Sequence, residues 1–412
     1  MGISIGLVGL GAFGSAFAKL FKAHPAVSRI GLCDCEKSKL EKFADDPFMQ
    51  DKLSKKDLFL SLDDICKADF DAIAIITQPW LHAPQCLKVL ESGKSVYSAV
   101  PVISLPDGEE ILDWCGKLRE AVKRTGRHYM LGETTVYRPQ TMFCSRMAAE
   151  GRFGHFIYAE GEYTHDLDSP CSLRMVKQSR TTGIVGEQFA ALMEPYRKRG
   201  VKNSPMFYPT HSVSGPLAVM NTRAVKVSAY GYRNRENDPF FENNDFSDIT
   251  ALFQLANGAA LRICEFRECG LSALDRKESE IFRIVGSAGS FARDVWEENR
   301  RGGGRPAVRP FERRELTSKE MFTPLPPEVT EAFRQVMLNQ LPPEERAKRQ
   351  DGDFVPTGHG GSHPYLVHEF CTSVAEDRTP AVDIGIASHY MAMGVAADKS
   401  ALKDGEIVPV TE

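Results

Sequence analysis

Three glycines near the amino terminus of the chain have the spacing of a phosphate-binding turn. The segment Gly9-Leu10-Gly11-Ala12-Phe13-Gly14 follows a β-branched run over 3–8 and precedes a helix-forming run over 15–21. In a strand–turn–helix unit of this kind, the first glycine permits a sharp turn and the second lets a pyrophosphate approach the backbone. The third lets the helix pack against the strand. The pattern therefore predicts that residues 9–14 bind a dinucleotide.

A carboxylate follows at the position where such a unit holds the adenosine ribose. A second predicted strand, over 30–33, ends at Asp34, about 20 residues after Gly14. A carboxylate repels a 2′-phosphate, so Asp34 favours NAD, while the nearby Lys37 and Lys39 leave NADP open. The alternative interpretation is a structural glycine turn beside a solvated aspartate.

Two later segments carry side chains that exchange protons. The first, Tyr163-Thr164-His165-Asp166, lies at the end of a predicted strand, and the second, Tyr208-Pro209-Thr210-His211, opens a predicted helix. An imidazole titrates near neutral pH, which suits a general base. Such residues are also common as hydrogen-bonded structural groups. The pair His165-Asp166 lacks a third ligand at metal-site spacing, so no metal is predicted.

Alternating strands and helices position the first set of residues. Strands are predicted over 71–77, 94–98 and 128–132, with helices over 82–92 and 107–124 between them. The alternation predicts an open, parallel, doubly wound α/β sheet, which is a Rossmann domain over residues 1–132. Ligands on such sheets lie outside the carboxyl ends of the strands. Besides residues 9–14 and Asp34, these ends are residues 77–82, residues 98–101 and Glu133.

The remaining residues, 133–412, are predicted to form an α+β domain for substrate binding and oligomerisation. Strands over 155–163, 225–231, 248–255, 259–266 and 280–285 predict a large, mostly antiparallel sheet, with a hairpin at Asn257-Gly258. Residues 170–205 are predicted to be irregular and residues 300–306 to form a flexible loop. Helices are predicted over 139–150, over 327–340 and, as the last helix, over 365–377.

Length and composition narrow the class of protein. A chain of 412 residues with 42% hydrophobic and 26% charged residues is typical of a two-domain soluble protein. A net charge of −4 gives no reason to expect nucleic acid or a membrane surface as a partner. The scattered cysteines and the strand at the start of the chain, without a signal peptide, predict reduced thiols and a cytoplasmic location.

The segments after the strands at 71–77 and 94–98 resemble the glucose–fructose oxidoreductase / inositol dehydrogenase / MocA family. They are Thr77-Gln78-Pro79-Trp80-Leu81-His82 and Gly93-Lys94-Ser95-Val96-Tyr97-Ser98-Ala99-Val100-Pro101. The resemblance implies an enzyme that uses NAD or NADP. It implies that the following residues help to bind the cofactor: Thr77, Gln78, Trp80, His82, Ser98, Val100 and Pro101.

The sequence departs from that family at two positions. The family's lysine beside the nicotinamide falls at Val100, and its glutamate falls at Ala99. A valine neither donates a hydrogen bond nor takes a proton. We therefore expect any proton transfer to depend on other residues.

Three segments of the second domain resemble the NAD-dependent glycosidase branch of that family, whose type activity is α-N-acetylgalactosaminidase. They span residues 161–167, 208–216 and 358–361, and this branch also has valine at the position of Val100. The branch has glutamate where this chain has Ala99, and its spacing between the Tyr-Pro-Thr-His and Gly-Pro elements is one residue shorter.

The resemblance implies a reaction cycle and a set of roles. A sugar is oxidised at C3 with NAD, the C2 proton is removed, the C1 substituent leaves, water adds, and C3 is reduced again. His211 matches the family histidine at the C3 hydroxyl, and Tyr163 matches the tyrosine proposed to remove the C2 proton. The residues that match groups holding the sugar or assisting are His165, Tyr208 and Glu133.

Two alternatives to that cycle stay open. The enzyme either completes it or stops at the keto sugar, as a simple NAD(P)-dependent sugar or polyol dehydrogenase. A dinucleotide-sensing regulator without catalysis is favoured by the missing lysine, whereas the retained tyrosines and histidines argue against it. His359 and His363 are as consistent with loop anchors as with substrate contacts. The predicted partners are a small carbohydrate and further copies of the chain in a dimer or tetramer, with no nucleic acid and no membrane.

Overall fold

The computed structural model describes residues 2–168, 173–180, 182–269, 280–299, 312–348 and 354–412. The chain divides into two structural units. Unit 1 comprises Met1–Ile103, Asp113–Tyr137 and Pro324–Ser388, and unit 2 comprises Ser104–Leu112, Arg138–Thr323 and His389–Glu412.

Strands and helices alternate along the first part of the chain, and strands dominate the middle part. In chain order, the strands are β1 (Ile3–Val8), β2 (Val27–Cys33), β3 (Leu53–Phe59), β4 (Ala72–Ile75), β5 (Ser95–Ser98), β6 (Tyr129–Leu131), β7 (Phe156–Thr164), β8 (Ala224–Tyr232), β9 (Asp248–Leu255), β10 (Ala260–Phe266), β11 (Glu280–Gly286), β12 (Gly289–Ala292), β13 (Val295–Glu298), β14 (Glu312–Glu315) and β15 (Val408–Pro409). The helices are α1 (Ala12–Ala23), α2 (Lys37–Ala44), α3 (Leu62–Lys67), α4 (His82–Glu91), α5 (Gly108–Thr125), α6 (Pro139–Ala149), α7 (Leu173–Arg180), α8 (Gly183–Arg199), α9 (Thr210–Met220), α10 (Ser318–Met321), α11 (Pro327–Gln340), α12 (Pro343–Arg346), α13 (His363–Ala375) and α14 (Ile384–Leu402).

Unit 1 is built on a six-stranded sheet in the order β3-β2-β1-β4-β5-β6. Every neighbouring pair of its strands is parallel. All residues of β4 and β5 are buried, as expected where helices cover both faces of a parallel sheet. The apolar face of α1 buries Phe17 and Phe21. The predicted doubly wound sheet is therefore confirmed.

Unit 1 also includes residues far from the amino terminus. Helices α11 and α13 both pack against α1. For this reason Pro324–Ser388 belongs to unit 1, whereas the boundary predicted at residues 132 and 133 placed every later residue in the second domain.

Unit 2 is built on a nine-stranded sheet in the order β14-β13-β12-β11-β7-β10-β9-β8-β15. Among these pairs β7 and β10 are parallel, and the other neighbours are antiparallel. Buried and exposed residues alternate along β9, so one face of the sheet is exposed there. The predicted hairpin is present, since β9 and β10 join through Gly258 at φ +88°. The predicted mostly antiparallel sheet is confirmed.

Several local predictions were wrong. The strand β3 replaces a predicted loop and short helix over 45–56; it is an edge strand with three consecutive exposed residues, so its sequence lacks an apolar run. Helices α7 and α8 occupy much of the stretch predicted to be irregular, although α8 contains Pro195. The last helix is α14, which follows the one predicted over 365–377. The loop predicted at 300–306 lies outside the described residues.

Within the described part of the chain, no helix combines the length and the apolar character that crossing a membrane requires.

Candidate functional site

The glycine turn in unit 1 has the close contacts that its spacing predicts. Gly9 adopts φ +98°, and a Cβ there would lie 2.2 Å from the main-chain oxygen of Ile76. A Cβ at Gly14 would lie 1.8 Å from the main-chain oxygen of Gly9. A Cβ at Gly11 would meet no described atom within 4 Å. Neighbouring protein therefore requires glycine at the first and third positions, and the room at Gly11 fits a pyrophosphate.

The helix that follows the turn offers its amino terminus to an anion. Gly11 is the N-cap of α1 and has no side chain with which to cap it. The first-turn N–H groups of a helix carry a partial positive charge that suits phosphate. The residues that present this edge are Ala12, Phe13 and Gly14.

Asp34 links the second strand to the glycine turn. Its Oδ2 accepts a hydrogen bond from the main-chain N–H of Leu10 at 2.7 Å, and its Oδ1 accepts one from the N–H of Glu36 at 2.9 Å. The residue is 7% exposed. The Nζ of Lys39 lies 3.8 Å from Oδ1. Asp34 therefore orders the turn, and its contact with a ribose stays a prediction.

His82 connects two of the predicted cofactor-binding segments. Its ring Nδ1 lies 2.8 Å from the main-chain oxygen of Pro101, and its Nε2 lies 3.2 Å from that of Thr77. The side chain is 1% exposed. His82 therefore holds the carboxyl ends of β4 and β5 together from within the protein. The other predicted cofactor contacts in these segments are Gln78, Trp80, Ser98 and Val100, and their roles stay predictions.

Glu133 also belongs to unit 1 and is fully buried. Its Oε1 accepts a hydrogen bond from the main-chain N–H of Thr135 at 2.9 Å. Burial, followed by the proximity of Glu133, raises the pKa of Tyr97. The predicted role of Glu133 in holding the sugar stays a prediction.

The glycine-rich loop at 358–361 packs against the glycine turn at 9–14 within unit 1. Nδ1 of His359 lies 3.0 Å from Nε2 of His363. The ring of Phe13 lies edge-on to both imidazoles, with centroids 5.5 Å and 4.9 Å away. The two histidines therefore anchor the loop beside Phe13.

Unit 2 brings together the four tyrosines and histidines predicted to do chemistry there. The phenolic oxygen of Tyr163 lies 3.0 Å from Nδ1 of His165. The ring of Tyr163 lies 4.8 Å from the ring of His211 and 6.4 Å from the ring of Tyr208. The rings of Tyr208 and His211 are 5.5 Å apart. We call these four residues the Tyr–His cluster.

A close approach between β7 and α9 explains why the cluster forms. A Cβ at Gly161 would lie 1.9 Å from the main-chain oxygen of Ser212. Glycine at position 161 therefore lets the first turn of α9 lie directly on β7. Tyr163 is two residues along the same face of β7, and His211 precedes Ser212 in α9.

Glu265, Arg267 and Ser212 lie beside the cluster, and the sequence alone did not reveal them as part of the site. Glu265 is fully buried. Its Oε1 accepts a hydrogen bond from Oγ of Ser212 at 2.5 Å, and its Oε2 accepts one from Nη2 of Arg267 at 2.6 Å. Burial raises the pKa of Glu265 to about 7, against the opposing effects of Arg267, Ser212 and His211. The sequence offered one indication: Glu265 alternates with Leu261 and Ile263 along β10, so its carboxylate lies on the same buried face of the strand.

Tyr163 has an acidic residue opposite it on each neighbouring strand. It is paired with Glu265 on β10 and with Glu280 on β11. Each acid has its own arginine, since Nη2 of Arg138 lies 2.5 Å from Oε1 of Glu280. Part of Tyr163 is exposed, and desolvation of the phenol raises its pKa above the ordinary value. The cluster therefore combines a neutral phenol with two imidazoles.

Comparison with known families identifies the amino-terminal segment. The profile described as "Oxidoreductase family, NAD-binding Rossmann fold" matches residues 3–126. This match confirms the predicted family resemblance and the predicted NAD cofactor. It covers the glycine turn, Asp34 and the segments joined by His82.

Two curated relatives are similar to this chain over only part of their own length. A glycosyl hydrolase family 109 protein of Shewanella baltica is 27% identical over 176 residues, which are 40% of this chain and 36% of that protein. The alpha-N-acetylgalactosaminidase of Shewanella oneidensis is 25% identical over 170 residues, with the same two shares of 40% and 36%. The chain thus matches about a third of the length of these relatives.

Solved structures share the fold over the whole chain. The scyllo-inositol dehydrogenase of Lactobacillus casei, solved with NAD(H) and scyllo-inositol, is 15% identical with a TM-score of 0.63, and the match covers 100% of both chains. This likeness confirms the predicted fold class.

Proposed function

Because residues 3–126 belong to the oxidoreductase family with the NAD-binding Rossmann fold, we propose that the chain is an NAD-dependent enzyme acting on a sugar or glycoside. It oxidises the C3 hydroxyl and completes cleavage by elimination at C1 and C2 followed by water addition. The observation that carries this proposal is the Tyr–His cluster, in which Tyr163 contacts His165 and lies beside His211. The curated relatives named as a family 109 glycosyl hydrolase and as an alpha-N-acetylgalactosaminidase support the same class of substrate.

The residues of unit 1 fit the cofactor. The turn at 9–14 would hold the pyrophosphate at the amino terminus of α1, and Asp34, which orders that turn, would accept hydrogen bonds from the ribose. The segments joined by His82 line the carboxyl ends of β4 and β5, where the nicotinamide belongs. When bound, NAD supplies the acceptor for the electrons that leave an alcohol carbon.

His211 is the base for the C3 hydroxyl in this proposal. Oxidation of an alcohol requires that its hydroxyl proton be taken up, and an imidazole does this near neutral pH. Val100 lies where the family that this chain resembles has a lysine, and a valine has no proton to exchange. The histidine is therefore the basic side chain assigned to this step.

Tyr163 and His165 act together on the C2 proton. Because desolvation raises the pKa of Tyr163, its phenol is neutral at physiological pH and is a weak base alone. Nδ1 of His165 accepts the phenolic proton as the phenolic oxygen takes the proton from C2. The electron pair of the C2–H bond then forms the C1–C2 double bond as the C1–O bond breaks. The 3-keto group makes this possible by acidifying C2.

A panel of 4-nitrophenyl glycosides, incubated in D₂O with and without NAD, tests the proposal. We expect release of nitrophenol that depends on NAD, no net accumulation of NADH, and deuterium at C2 of the product sugar. N-acetylgalactosaminides belong in the panel because one curated relative carries that name.

Two other outcomes identify the alternatives. Steady accumulation of NADH without nitrophenol release identifies a dehydrogenase, which the oxidoreductase family of residues 3–126 supports. Binding of NAD with neither product across the panel, extended to free sugars and polyols, contradicts catalysis and leaves a dinucleotide-sensing regulator.

A further inference from the structure

The residues below the Tyr–His cluster are tied together by one carboxylate. Glu265 bridges α9, through Oγ of Ser212, to the end of β10, through Nη2 of Arg267. Ser212 directly follows His211 in the first turn of α9. Movement of this carboxylate therefore moves the backbone that carries His211.

Arg267 extends the same chain of contacts to Tyr163. Its guanidinium carbon lies 5.0 Å from the centre of the Tyr163 ring, and its Nη1 lies 3.4 Å from the main-chain oxygen of Tyr163. The main-chain N–H of Arg267 donates to Oδ1 of Asp248 on β9 at 2.7 Å, which fixes the start of the side chain. The guanidinium is thus held against one face of the phenol ring.

The charges around Glu265 come from every element packed against it. Arg267 lies at the end of β10, His211 on α9 and Asp248 on β9. Tyr163 on β7 lies between Glu265 and Glu280 on β11, and Glu280 in turn pairs with Arg138. His165 contacts Tyr163 from the end of β7. The pair of Glu265 and Arg267 is therefore neutral when Glu265 is ionised and positively charged when Glu265 is protonated.

We propose that Glu265 is a positioning residue of this site, which fixes His211 through Ser212 and balances the charge of Arg267 beside Tyr163. The catalytic meaning of this assignment rests on the function proposed above, whereas the contacts and charges are properties of the fold. Glu265 acts through these neighbours and not by contact with the substrate or the cofactor.

The two parts of the proposal predict different effects. Glu265→Gln keeps the shape and an acceptor for Ser212 but removes the negative charge that Glu265 carries when it is ionised, so the pKa of His211 and that of Tyr163 both fall. Arg267→Met removes a positive charge, so both pKa values rise. Ser212→Ala removes the tether without changing any charge, so it lowers the rate of substrate oxidation and leaves both pKa values in place.

Charge interactions at this range in a partly buried site amount to about 1–2 pH units. A misplaced base costs about 10–100-fold in rate. We expect these magnitudes for the charge variants and for Ser212→Ala, respectively. Glu265→Gln/Arg267→Met restores neutrality, so its pKa values return to within about 0.5 pH unit of wild type.

The experiment follows the imidazole of His211 by NMR in the full-length protein labelled with ¹³C-histidine, with His211→Asn used for assignment. The matched control is Glu162→Gln, which removes a carboxylate paired with Arg262 in the register position next to Tyr163. That control should leave the pKa of His211 and the rate unchanged.

The NMR titration tests the assignment of Glu265 without requiring turnover of a substrate. The assignment is supported if the pKa of His211 shifts in opposite directions in Glu265→Gln and Arg267→Met and the two shifts cancel in the double variant. Simple loosening of the fold would shift this pKa in the same direction in both single variants. Equal titration of His211 in Glu265→Gln, Glu162→Gln and wild type overturns it, even in an active enzyme. If Glu265→Gln does not fold, Arg267→Met, the double variant and Ser212→Ala decide, since the rise in the pKa of His211 in Arg267→Met must be reversed in the double variant. An inactive wild type with the expected shifts contradicts only the proposed function.

Discussion

Gly14 and Gly11 of the glycine turn have different surroundings, so substitutions at these two positions should distinguish effects on folding from effects on NAD binding. At Gly14 a Cβ would lie 1.8 Å from the main-chain oxygen of Gly9, whereas ordinary contact begins at 3.4 Å, so the atoms must separate by 1.6 Å. That movement displaces α1 from the sheet, and we expect Gly14→Ala to cost about 3 kcal/mol of unfolding free energy. Gly14→Ala should also weaken NAD binding.

Gly11→Ala should affect only the cofactor. A Cβ there meets no described atom within 4 Å, and the backbone at φ −66° and ψ −172° suits any residue. We expect the unfolding free energy to stay within about 0.5 kcal/mol of wild type. A methyl group placed against a pyrophosphate should cost about 1–3 kcal/mol of binding, which weakens the Kd for NAD about 10–100-fold.

The assay combines urea unfolding with calorimetric titration of NAD for both variants. The matched control is Gly116→Ala in α5, where a Cβ also meets no described atom within 4 Å. It should gain about 0.5–1 kcal/mol of stability from helix propensity and bind NAD normally. Wild-type NAD affinity in Gly11→Ala would refute the assignment of the pyrophosphate to this turn. Wild-type stability in Gly14→Ala would refute the packing argument.

Three further predictions concern catalysis, pH and a buried ion pair. His211→Ala should keep NAD binding and lose about 10²–10⁴-fold in substrate oxidation, whereas Tyr163→Phe should keep the first oxidation, seen as bound NADH, and lose deuterium exchange at C2; the opposite order of losses would reverse the two roles. Burial lowers the pKa of His24 to about 3, so the unfolded chain binds the proton more readily than the folded protein does. The free energy of unfolding should therefore fall by up to about 2 kcal/mol between pH 6.5 and pH 5. In His24→Gln, the free energy of unfolding should depend less on pH over this range. Arg138→Met leaves Glu280 buried without that guanidinium and should cost about 3–5 kcal/mol in urea unfolding, most of which Arg138→Met/Glu280→Leu should recover.

The glycine turn of unit 1 could be predicted because its information is local. A glycine turn, the strand before it and the helix after it occupy consecutive residues, so their spacing alone specifies close contacts such as that of Gly14 with Gly9. Asp34 follows from the same unit, one strand later. The burial of β4 and β5 on both faces was likewise visible as continuous apolar runs.

The surroundings of the Tyr–His cluster in unit 2 depend on pairings between distant residues. Glu265 lies opposite Tyr163 only because β10 pairs in parallel with β7, about 100 residues earlier in the chain. No local pattern specifies that neighbour, and the acid at an inward position of β10 gave the one hint. The contacts of His82 with two carbonyl oxygens could not be predicted for the same reason, since one of these oxygens belongs to Pro101, which follows the neighbouring strand β5.

The charges around Tyr163 explain why the proposed mechanism requires His165. Two carboxylates, Glu265 and Glu280, lie opposite the tyrosine, and each is paired with an arginine, so their fields largely cancel at the phenol. Desolvation is then the dominant influence, and it raises the pKa of Tyr163. A phenol kept neutral in this way transfers a proton only if a neighbour takes its own. In the proposed mechanism, Nδ1 of His165, 3.0 Å from the phenolic oxygen, is that neighbour. The pH dependence of C2 deprotonation should therefore follow the imidazole and not the phenol.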